Sequence, residues 1–303
     1  MDKRKMNDTG VKGVLVFVTL LFGINPIVVK VGITEMSPMI FTTGRLMVAV
    51  IAFACVLLLS GQWIRPNKKD IGAYIIIGFE AFLFQIGMIL ALQFVSAAIV
   101  ATMLGLIPVS ILIINSLKGN KRIERKHYVG ATITFVGVIF ISGILSSVSE
   151  VELWHGIAGI GVLLIAQFSA AAYMVRSEAL LETYSHYQVT ALMFFVTFVL
   201  FVIGSLPTLV TTGIEAVSSL ALMCMIYGGL ISLCLANILW TWGIKEVGSH
   251  QAAIFNNLPP VFAVVAGILF LNEIPRPSQV IGVVLILFGL FVFDFQLKTK
   301  VFD

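Results

Sequence analysis

The chain of 303 residues is 59% hydrophobic and 11% charged, with a net charge of +4 and a mean hydropathy of +1.06. A soluble domain carries about 25% charged residues, so this composition excludes a water-facing globule, and its apolar content excludes a disordered chain. The apolar residues come in blocks of roughly 18–24, not in short alternating segments, which predicts an all-α integral membrane protein and not an outer-membrane barrel.

Ten apolar blocks follow one another, at about 11–32, 38–60, 71–94, 96–117, 128–147, 154–176, 187–208, 216–243, 251–271 and 279–297. Each can cross a hydrocarbon core of about 30 Å at 1.5 Å rise per residue. The first is about twice the length of a signal-peptide apolar region, so it is read as a retained first helix. Breakers and charges fill the gaps, as in Gly61 to Asp70, Lys118 to His127 and Arg276-Pro277-Ser278. With both termini placed in the cytoplasm, sixteen of the nineteen Lys and Arg residues fall inside, leaving Lys30, Arg45 and Arg276. That bias is the positive-inside signal of a multi-pass protein of the plasma (bacterial inner) membrane. The net charge is therefore a topology signal, and no nucleic-acid partner is expected.

A shift of 152 residues places Pro108 on Pro260, Asn120 on Asn272, Gly130 on Gly282 and Gly137 on Gly289 without a gap. The chain thus reads as two repeats, 1–148 with helices 1 to 5 and 149–303 with helices 6 to 10. Five helices is an odd number, so the repeats must lie inverted in the membrane. The basic run Lys118 to Lys126 falls on 270–278 in the second repeat, where Glu273 and Arg276 leave no excess of positive charge, so only one of the equivalent loops is basic. Inverted repeats are a recurrent architecture of secondary transporters, in which two related halves exchange conformations around a midplane site.

Phe22-Gly23-Ile24-Asn25-Pro26 running to Lys30 resembles the W-G-x-N-x-x-x-x-K stretch that ends helix 1 in EamA-type transporters of the drug/metabolite transporter superfamily, with Phe22 replacing the usual Trp. Ser37-Pro38 followed by Arg45-Leu46-Met47-Val48-Ala49 resembles the start of that family's helix 2. Leu271-Asn272-Glu273 followed by Gly282 and Gly289 resembles the close of its second repeat. The resemblance implies ten helices, with a central cavity lined by helices 1–4 and 6–9 while helices 5 and 10 pack together to the side. It also implies export of a metabolite, without naming one.

Polar residues inside apolar blocks are the candidate site, because a bare charge at mid-membrane costs about 2.5–3.5 kcal/mol on insertion scales. Glu80, about ten residues into helix 3, is a candidate proton-coupling carboxylate and substrate contact; the alternative is a paired Glu fixing two helices. Arg45 can take a carboxylate bidentately or form a structural ion pair, for instance with Glu35. Lys30 is read as an interfacial anchor. Asn25-Pro26 breaks helix 1, and proline frees backbone that only protein or a wet cavity can satisfy. Pro26, Pro108 and Pro260 are accordingly gating points, and Asn25 and Asn256 substrate contacts. Asn237 and Trp240 share one face of helix 8, and Ser169 and Tyr173 one face of helix 6. Gln85 completes the set, although it lies about 140° around helix 3 from Glu80. Gly130/Gly137 and Gly282/Gly289 predict close packing of helices 5 and 10.

No metal site or cofactor is expected, since the four histidines lie at block edges and the three cysteines show no ligand spacing. Neither a nucleotide loop nor a deep nucleophile–base pair is present, so pumping by ATP and intramembrane catalysis are disfavoured. The reading is a secondary transporter for a small amphipathic metabolite such as an amino acid, exporting it by alternating access. The alternative is a channel or facilitator without tight coupling. Expected partners are membrane lipid, the small-molecule substrate and a proton; a monomer suffices.

Overall fold

The computed structural model describes residues 8–94, 100, 105, 107–117, 125–142, 150–212, 217–259, 261–262 and 277–294, and among these every regular element is a helix. They are α1 (Asp8–Glu35), α2 (Pro38–Ser60), α3 (Lys68–Phe94), α4 (Ile107–Leu117), α5 (Arg125–Ser142), α6 (Glu150–Leu181), α7 (His186–Thr212), α8 (Ser219–Val247), the short α9 (Ser249–Ala253) and α10 (Pro277–Asp294). Six of them contain stretches long and apolar enough to cross a membrane: α1, α2, α3, α6, α7 and α8. Shorter apolar helical stretches lie at Ile107–Leu117, Tyr128–Gly137 and Val280–Gly289. Where the sequence reading draws one ninth span, α9 passes into a 3₁₀ turn at Ile254–Asn257, and residues 263–276 lie outside the described part.

Sequence chemistry sets the helix ends. Pro38 opens α2, where its missing N–H costs nothing. Gly61 closes it in the left-handed region at φ 61°, its N–H returning to Leu58 O. Ser218 caps α8 by accepting from the Ala221 N–H at 3.0 Å while its hydroxyl donates to Glu35 Oε2 at 2.7 Å. Side chains such as Leu58, Leu59, Ile165 and Met223 stand exposed, the outward apolar surface that a lipid environment solvates.

Between helices, contact rests on small residues, because lipid offers no hydrophobic drive for association and close van der Waals approach must supply it. α5 packs along α10, where a Cβ on Gly137 would lie 2.7 Å from Gly282 O, and one on Gly289 would lie 2.5 Å from Thr134 Oγ1. α3 meets α6 with Gly87 against Ala166, and meets α7 where Thr197 Oγ1 donates to Gly78 O at 3.0 Å.

Polar cross-links tie the end of the bundle where α2 and α6 finish. Gln188 accepts from the Ile64 N–H at 2.9 Å and donates to Ile64 O at 2.7 Å. The Tyr184 hydroxyl donates to Asp70 Oδ2 at 2.6 Å and accepts from the Asn67 N–H at 3.0 Å. Ser249 Oγ donates to Glu178 Oε2 at 2.6 Å. At the opposite end, the Ser218–Glu35 bond links α8 to α1.

Candidate functional site

A cavity lies among the described helices, with about 830 Å³ of atom-free space counting the part open to solvent. Its wall draws on α1, α2, α3, α4, α6, α7, α8 and the turn after α9; no described residue of α5 or α10 contributes. Lining residues of α1 (Phe22, Asn25, Pro26, Val29) and of α3 (Ala81 to Leu92) fall in the second half of each helix. Those of α6 (Tyr173), α7 (Met193, Phe194) and α8 (Asn237, Trp240) fall nearer the opposite end, the one tied by Tyr184 and Gln188, so the cavity lies between the two ends of the bundle.

Arg45 is the only charged residue among the described lining residues, and it is 2% exposed. Its Nη1 donates to Asn25 Oδ1 at 3.3 Å and its Nη2 to Gln85 Oε1 at 2.5 Å. The ion pair with Glu35 weighed in the sequence reading does not form; Glu35 accepts from Ser218 instead. Two glycines of α8 make room for this arginine. A Cβ on Gly229 would sit 2.6 Å from Arg45 O, and Gly228 lies against its side-chain methylenes. These glycines open a π-helical segment, Gly228–Leu235, in the middle of α8. Wide turns of this kind recur at functional sites because they re-aim side chains and disturb the regular ladder. Here Asn237 Nδ2 donates to Ser232 O at 2.9 Å.

Aliphatic side chains and aromatic rings make the rest of the wall. Phe22 meets Trp240 edge-on at 5.6 Å, and Phe84 meets Tyr173 at 6.4 Å. Asn25, Arg45, Gln85, Tyr173, Asn237, Trp240 and Asn256, chosen from the sequence as polar or aromatic interruptions, thus border a single space, together with Pro26. Pro108 is buried on α4 beside the lining residue Ile107, and Pro260 lies outside the described residues.

Glu80 stands apart. It is not among the lining residues, and its Oε1 accepts from Arg176 Nε at 2.8 Å, the arginine half exposed and the glutamate largely covered. Lys30 donates from Nζ to Leu92 O at 2.5 Å. Ser169 bonds its own helix at Ile165 O, and Gln167 is buried outside the wall. Sequence reading passed over Phe84, Met88, Phe194 and Ser232 of the lining. Phe84, Met88 and Phe194 are apolar residues among apolar residues and carry no signal, and a lone serine in an apolar block carries little.

The EamA-like transporter family profile matches residues 11–143 and 157–293, once in each half. The chain belongs to the EamA-like transporter family. Among its relatives is the uncharacterized transporter YoaV of Bacillus subtilis (strain 168), 22% identical over 291 residues that span 94% of this chain and 97% of the relative. A probable amino-acid metabolite efflux pump of Salmonella typhimurium (strain LT2) is 21% identical over 93% of this chain and 94% of that protein. A solved crystal structure shares the fold at TM-score 0.76 and 16% identity, covering 93% of this chain and 97% of its own. This EamA-like chain is thus a multi-pass membrane transporter, with the domain repeated twice. Nothing in the family or its relatives indicates an enzyme.

Proposed function

We propose that the protein is a secondary transporter of the cytoplasmic membrane that exports a small amphipathic metabolite by alternating access. Ten helices in two inverted repeats, 1–148 and 149–303, would rock about the central cavity with Pro26, Pro108 and Pro260 as flexing points. The observation that carries this reading is the cavity itself, walled by segments of both repeats and set with Asn25, Arg45, Gln85, Asn237 and Asn256 among aromatic rings. A solute with an apolar body and a polar head suits such a wall. The positive-inside bias supports cytoplasmic termini, with the cross-linked end of the bundle facing the cytoplasm. The efflux function named for the Salmonella relative supports the outward direction. Glu80 with Arg176 is the proposed proton-coupling pair, acting from α3 beside the wall and not through the solute.

Flux into proteoliposomes tests the proposal. A carrier gives saturable uptake that is accelerated by unlabelled substrate on the opposite side. Unitary currents, or flux without such acceleration, would establish the channel reading instead.

A further inference from the structure

The cavity holds a buried cation whose charge nothing described beside it cancels. Arg45 has five N–H donors. Two are taken by Asn25 and Gln85, while Nε, also buried, has no hydrogen-bond partner. Both partners accept through neutral amide oxygens, so they fix the plane of the guanidinium without neutralising it. Among the described lining residues there is no Asp or Glu. Buried arginines are ordinarily paired, because an uncompensated charge in an apolar interior is expensive. The missing counter-charge and the unused donors belong to one group, and its planar fork matches a carboxylate.

The rest of the wall limits what that carboxylate can be attached to. Phe22, Trp240, Phe84 and Tyr173 offer ring surface. No described carboxylate is placed to receive an ammonium group, and a second positive charge would enter unpaired. Resting on the transport reading of this cavity, we infer that its substrate class is a small organic monocarboxylate with an apolar or aromatic body and no free ammonium group. The carboxylate lies on Arg45, held in place by Asn25 and Gln85, and the body lies between the Phe22–Trp240 and Phe84–Tyr173 pairs.

A matched series on the full-length protein in detergent tests this. Binding of 3-phenylpropionate, phenylalanine and phenethylamine is measured by calorimetry, with the wild type, Arg45→Gln and Arg45→Lys. The expected result is binding of the carboxylate about tenfold or more tighter than of either other probe, and loss of that preference in Arg45→Gln. Arg45→Lys keeps the charge without the fork and should fall between. Should Arg45→Gln fail to fold, the order of the three probes on the wild type still decides. Equal or tighter binding of phenylalanine or phenethylamine, undiminished carboxylate affinity in a folded Arg45→Gln, or no binding of the carboxylate would each overturn the inference. The two readings fail separately. Saturable, trans-accelerated flux of an uncharged or cationic solute would leave the transporter and remove the anion site. Arg45-dependent carboxylate binding without any flux would do the reverse.

Discussion

The Tyr184 hydroxyl donates to Asp70 at 2.6 Å while accepting from the Asn67 N–H at 3.0 Å, so a single phenol from the α6–α7 connection fastens the start of α3. Together with Gln188, which bonds both backbone groups of Ile64, it ties the end of the bundle where α2 and α6 finish. An alternating-access cycle would have to release these bonds and remake them.

Replacing Tyr184 with Phe removes both bonds and leaves the ring against Tyr74. The expected loss is about 1–3 kcal/mol, read as a lower thermal midpoint in detergent. Its pH dependence has a definite sign. The hydrogen bond to Asp70 favours the protonated phenol and raises the Tyr184 pKa above the ordinary tyrosine value. This contribution is thus fully present at neutral pH and disappears as pH rises through the raised value. The Phe variant should lack that alkaline component, and its persistence would assign the transition to another group.

Glu80 and Arg176 are expected to respond unequally to substitution. Glu80→Gln keeps the shape of a largely covered side chain and leaves Arg176, which is half exposed, able to reach water. Arg176→Gln instead takes the positive charge from beside a covered carboxylate. The second variant should be the less stable, by about 1–3 kcal/mol. Equal melting of the two variants would argue against a buried carboxylate. In flux assays, Glu80→Gln should also abolish the pH dependence of transport, and retention of that dependence would remove Glu80 from coupling.

Two glycines give a paired test of packing. A Cβ on Gly289 would lie 2.5 Å from Thr134 Oγ1 and 2.8 Å from Thr134 N, whereas one on Gly161 meets nothing within 4 Å. Gly289→Ala should therefore destabilise by about 1–3 kcal/mol by forcing α5 and α10 apart. Gly161→Ala in α6 should be neutral or stabilising by up to about 1 kcal/mol, since alanine is the better helix former. Thermal unfolding of the two variants side by side gives the comparison.

Much of this arrangement is legible in the sequence for one physical reason. In an apolar block every polar residue is costly, so those that persist gather where they can serve one another. Asn25, Arg45 and Gln85 stand out in three separate blocks and meet in space as a hydrogen-bonded group. The glycine pairs of α5 and α10 are equally plain, because seven residues return to the same helix face. What stayed hidden depends on pairing across the fold. Arg176 reads as one more topological charge until α6 lies beside Glu80. Tyr184, Gln188, Asp70 and Ile64 lie in or next to hydrophilic connections, where such residues are unremarkable, and more than a hundred positions separate the partners. The wide turn in α8 depends on hydrogen-bond register, which composition does not encode.

That wide turn has a mechanical meaning. A regular helix advances about 100° per residue, so the Gly228–Leu235 segment sets the angular offset between Ser219–Tyr227 and the stretch bearing Asn237 and Trp240. Tightening it to ordinary i→i+4 bonding would turn one portion of α8 against the other while the rod stayed continuous. With Gly229 seated against Arg45 and Val48, that rotation would be felt on α2 at the buried guanidinium. Helix α8 would then turn as a swivel whose bearing is the arginine.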